Sequence, residues 1–239
     1  MEWQYIYLMF VFFLAGVVPE LTGFGVATVS MSLLPFVLPL YVAIPLVAII
    51  SMVSTGIVAF ETKTSGLLKY ILPLLLGSAL GVFVGMLFLK VVDESSLRLA
   101  LSTFLISYSL YGLLFKDHFF PFNRLTGVLT GSVAGFFAAS FNIHGPLVGL
   151  YSSSNDSLSK LEIKDLLATY MFFTGLFTVA GHTISGRIGF EVLSYFLLAV
   201  PFLFLGLFVG KKIFDKINVF WVKKGIYFFV LAAGIILLF

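Results

Sequence analysis

The sequence predicts an all-α polytopic membrane protein of about eight transmembrane segments, built as two repeated four-segment halves with interrupted helices at the centre. Three observations predict it. Only 10% of the 239 residues are charged, against about 25% in soluble domains, so most of the surface faces something other than water. Apolar runs long enough to cross a bilayer, which takes roughly 20 residues, alternate with short polar connections. Two stretches of sequence also recur at a nearly constant offset.

In chain order, the first apolar stretch covers 4–39 and is interrupted. Its start, "MEWQYIYLMF", lacks the basic opening of a secretory signal and reads as a retained span. Segments 42–60, 67–91 and 97–115 complete a first half, 1–115. The second half, 116–239, holds 122–151 (again interrupted), 165–185, 190–214 and 219–239. Connections such as "ETKTSG", "KVVDESSLR" and "KKIFDKIN" are too short for a further soluble domain. A β-barrel would instead show short segments of alternating polarity.

The repeat appears as "LGVFVG" at 80–85 against "LGLFVG" at 205–210, and "GVVPELTGFG" at 16–25 against "GFFAASFNIHG" at 135–145. An insertion in the polar loop 152–164 would absorb most of the drift in offset between these pairs. Secondary transporters are commonly duplicated in this way, with substrate held where the halves meet.

The net charge of +3 is no nucleic-acid signal, because the Lys and Arg residues lie in the loops. Eight crossings place 5 of the 14 basic residues on the side of the N-terminus and 9 on the other. By the positive-inside rule both termini are then extracytoplasmic, in a cytoplasmic (inner) membrane. The absence of Cys excludes disulfides and thiolate metal sites.

Two polar interruptions carry the functional expectation: "PELTGFG" at Pro19–Gly25 and "SFNIHGP" at Ser140–Pro146. Pro and Gly break the helix, and freed backbone groups at membrane depth must face protein or a wet cavity. Half-helix N-termini aimed into that cavity make an anion site. Intramembrane polar groups are functional candidates by default. Thr22, Gly23, Phe24, Gly25, Ser140, Asn142, His144, Gly145 and Pro146 are therefore the expected substrate-binding residues. Glu20, His144 and His182 are the expected proton-coupling groups. Neither break contains Lys or Arg, so dipoles and neutral donors hold the anion and allow its release.

At these residues the chain resembles the TauE/SafE sulfite exporter family of membrane permeases. Gly23, Gly25 and Pro35 fit its first glycine-rich motif, and Gly145 and Pro146 fit the second. Val26, Ala27, Asn142 and His144 depart from it. The resemblance spans nearly the whole chain. It implies transport or export of small sulfur-containing or organic anions such as sulfite, thiosulfate, sulfonates or sulfoacetate.

The expected activity is secondary transport by alternating access, proton-coupled, with no catalysis, cofactor or metal. The alternatives are an anion channel on the same scaffold, or a membrane enzyme with Glu20, His144 and His182 around a metal. The latter lacks a His-Glu-x-x-His motif and any recognisable ligand spacing. Glycines at every fourth residue (Gly77, Gly81, Gly85; Gly127, Gly131, Gly135; Gly206, Gly210) are expected to pack helices within one chain, the alternative being a homodimer seam.

Overall fold

The computed structural model describes residues 2–22, 25–61, 66–114, 121–155, 157–213 and 219–239. Every regular element among them is helical: α1 Glu2–Thr22, α2 Val26–Leu33 followed by a 3₁₀ turn Leu34–Phe36, α3 Leu40–Glu61, α4 Leu68–Val91, α5 Glu94–Leu114, α6 Arg124–Phe141, α7 Gly145–Ser153, α8 Lys160–Ile184, α9 Phe190–Ile213 and α10 Val219–Leu237. Five of them, α3, α4, α5, α8 and α9, are long and apolar enough to cross a membrane, and Trp3–Val18, Val26–Phe36 and Lys224–Leu237 are shorter apolar stretches. This is a multi-pass α-helical membrane protein.

Local chemistry sets the helix starts. Asn123 caps α6 by accepting from the Thr126 N–H, while the Thr126 hydroxyl accepts from the Asn123 N–H. Ser159 and Glu162 form the same reciprocal box at α8. That box starts α8 five residues before the apolar segment does, because capping satisfies orphan N–H groups that hydropathy does not register. At α5, Asp93 accepts from the N–H groups of Ser95 and Ser96.

The described chain forms two compact units, which group the elements differently from the sequence halves. One comprises Met1–Ile50, Val92–Lys116 and Arg187–Phe239; the other comprises Ser51–Val91 and Asp117–Gly186. In the first unit α1 packs on α9 and α5 on α10. A methyl group on Gly16 would lie 2.8 Å from the Leu207 nitrogen, so α1 and α9 meet backbone to backbone. The Tyr7 hydroxyl donates to the Leu33 carbonyl at 3.1 Å. A helix continuing straight would separate residues 26 apart by about 39 Å, so α2 turns back along α1. The Leu40 N–H, opening α3, donates to Glu94 Oε1 at 2.6 Å.

In the second unit α4 packs on α6 and α8. Gly77 faces Val128, Gly81 faces Ser132 and Gly85 faces Ala139. The rising order on both helices shows that they run parallel. A methyl on Gly77 or Gly81 would collide with the opposing carbonyl, so the glycine ladder here is used inside the chain, for backbone contact that only glycine permits. On α8, Tyr170 meets Ser78 and Gly181 meets Met86, again in parallel order. Leu67, Ile71, Leu74, Ala134, Val148 and Leu166 make the apolar core of this unit, closed by Tyr151 and Tyr170.

Candidate functional site

The second break is shorter than its sequence pattern. Ser140 belongs to α6, Gly145 and Pro146 open α7, and only Asn142, Ile143 and His144 are non-helical. Asn142 ends α6 in the left-handed region, at φ 60° and ψ 12°, and its N–H donates to the Ala138 carbonyl at 2.9 Å. Asn is one of the few side-chain-bearing residues that tolerate this conformation. Pro146 lies in the first turn of α7, where a missing N–H costs nothing. No side chain caps that first turn.

The break is buried. Asn142 and His144 are each 4% exposed and Ser140 is fully covered. Ser140 Oγ faces Gly85 of α4 and has no hydrogen-bond partner among the described residues; neither has either ring nitrogen of His144. The Asn142 backbone lies beside the imidazole without closing a bond of ordinary geometry. Leaving buried polar atoms unpaired costs about 1–3 kcal/mol each.

The imidazole stands edge-on to the Tyr170 ring, 5.9 Å between centroids. Tyr170 Oη lies 2.6 Å from Ser78 Oγ, and the Ser78 hydroxyl donates to the Gly131 carbonyl at 3.2 Å. Ser78 has one proton, so Tyr170 is the donor of the pair. Both residues lie eleven positions into their helices of 24 and 25 residues, which places the network near the mid-depth of two spans. Tyr170 and Ser78 were not singled out in the sequence, where a buried Tyr looks like any other aromatic of the apolar face.

The remaining expected residues belong to other parts of the chain. The backbone of α1 stays helical through Pro19 and Glu20 to Thr22, so the first break starts later than the Pro-Gly pattern indicates. A proline costs a helix one hydrogen bond and a bend rather than its continuation. Gly23 and Phe24 lie outside the described residues. Gly25 is the N-cap of α2 at φ 80°, also without a side-chain cap. His182 is fully buried near the end of α8, twelve residues past Tyr170 and about 18 Å of rise from it. Among the described residues no group of three His, Cys, Asp or Glu could hold a metal ion.

A family model described as sulfite exporter TauE/SafE matches residues 8–237. Nothing among curated proteins or solved structures matches the chain.

Proposed function

The chain belongs to the TauE/SafE sulfite exporter family, and from that premise we propose that it is a secondary permease of a small sulfur-containing or organic oxyanion. The class covers sulfite, thiosulfate, sulfonates and sulfoacetate. One observation supports placing the site in the second break: buried Ser140 and His144, without hydrogen-bond partners among the described residues, beside the uncapped N-terminus of α7. Peptide N–H groups and neutral donors hold an oxyanion without neutralising it, which favours release as much as capture. In this reading transport proceeds by alternating access, with Glu20, His144 and His182 as the groups available to carry a coupled proton.

The fold-back of α2 and α7 also bears on orientation. With α1–α2 and α6–α7 as hairpins rather than crossings, six helices cross: α3, α4, α5, α8, α9 and α10. Connectivity then leaves only Lys90, Arg98 and Arg187 on the side of the termini, and the other eleven of the 14 basic residues on the opposite side. That bias is steeper than eight crossings produce. It supports a cytoplasmic membrane location with both termini outside, and inverted rather than parallel repeats.

The test is uptake of labelled sulfite, thiosulfate and sulfoacetate into proteoliposomes, with and without a pH gradient. Saturable uptake of one anion, lost in His144→Ala, is expected. Flux without saturation or counterflow would favour a channel on the same scaffold.

A further inference from the structure

Several hydroxyls in these helices close on the carbonyl one turn back: Thr55 on Ser51, Ser102 on Arg98, Ser132 on Val128 and Thr183 on Val179. A helical Ser or Thr does this when nothing better is offered. Thr178 does not. It is buried on α8, and its Oγ1 has no hydrogen-bond partner among the described residues. Thr174, one turn earlier, is also buried, and its hydroxyl lies beside Tyr170 Oη without closing a bond of ordinary geometry.

Tyr170, Thr174, Thr178 and His182 recur at every fourth residue and form one buried face of α8. Alongside, Met52 of α3 packs against Gly175. The residue before Met52, Ser51, supplies another buried hydroxyl without a partner among the described residues. A helix that crosses a membrane rarely leaves several hydroxyls unpaired on one face, because hydrocarbon has nothing to offer them. Donors spaced a turn apart suit a guest that brings its own acceptor oxygens.

We propose that Thr174 and Thr178 donate hydrogen bonds to the translocated oxyanion. They make a hydroxyl-lined track from the second break, at mid-depth, along α8 to His182 and the connection at 185–189. The proposal rests on the anion-transport reading above and extends it to two residues outside either break.

The test uses the full chain, which has no native cysteine, so Thr174→Cys and Thr178→Cys each introduce a single thiol. The probe is a membrane-impermeant, sulfonate-bearing methanethiosulfonate reagent. Both thiols should react at least tenfold faster than Leu176→Cys, whose position lies on the exposed side of α8, and methanesulfonate should slow them at least threefold. In proteoliposomes Thr178→Val should raise the KM for sulfite at least fivefold. Thr178→Ser should stay within twofold of wild type, and Thr183→Val should match it.

Labelling no faster than at Leu176→Cys, or an unchanged KM in Thr178→Val, would overturn the track while leaving the family reading intact. Fast, methanesulfonate-protected labelling in a chain that moves no sulfite would support the track and sink sulfite as the substrate.

Discussion

Tyr151, in the last turn of α7, donates its hydroxyl hydrogen to the carbonyl of Asn123, the N-cap of α6, at 2.9 Å. The two residues are 28 apart in sequence, and a single broken helix would hold them about 42 Å apart. The bond therefore marks α6 and α7 as the two arms of a hairpin, and Phe122 stacks on the Tyr151 ring at the same point. Tyr7 and Leu33 play the corresponding part for α1 and α2.

The hairpin predicts sidedness. Single cysteines at Asn123 and Asn155 should react with an impermeant maleimide from the same face of sealed vesicles, and one at Gly186 from the opposite face. Opposite-face labelling of the first two would mean that the stretch crosses once.

Tyr151→Phe keeps the ring stack and removes the hydrogen bond. It should cost about 1 kcal/mol, seen as a fall of about 2–4 °C in the Tm of detergent-solubilised protein. An unchanged Tm would show that stacking alone holds the hairpin.

Gly81→Ala places a methyl against the Ser132 carbonyl and should destabilise by about 1–3 kcal/mol. Gly149→Ala meets nothing within 4 Å and should be neutral or stabilising by up to about 1 kcal/mol. Thermal unfolding of the pair, measured together, separates close helix contact from helix propensity; equal effects would refute the contact.

Asp93 carries a pH signature. The Ser96 hydroxyl and backbone hydrogen bonds hold its carboxyl below the usual carboxylate range. A depressed value stabilises the folded state at pH above the unfolded value, near about 4, and that contribution disappears as pH falls through the folded value. The Tm difference between wild type and Asp93→Asn should be present at pH 7 and vanish under acid conditions. A pH-independent difference would assign the effect to the cap geometry alone.

Much of the fold was legible because it follows from composition and segment length. The helices lie where the apolar runs lie, and both interruptions fall near Gly25 and Asn142. What escaped was direction. A Pro-Gly interruption indicates that a helix stops, but not whether the chain then continues or returns. The answer depends on Tyr7 and Tyr151, whose partners are distant in sequence. The second break was legible because Asn142 and His144 are conspicuous among apolar neighbours. Thr174 and Thr178 were overlooked because Thr is ordinary in a helix, and only burial and the missing i−4 bond distinguish them from Thr183.

The contact between α4 and α6 has a mechanical consequence. At Gly77, Gly81 and Gly131 backbone touches backbone, with no side chain between to change rotamer and absorb a displacement. Such a seam has little give: it can hold or part, but it cannot creep. The two helices should travel through any working cycle as one stiff spar, leaving the bending to joints elsewhere in the chain.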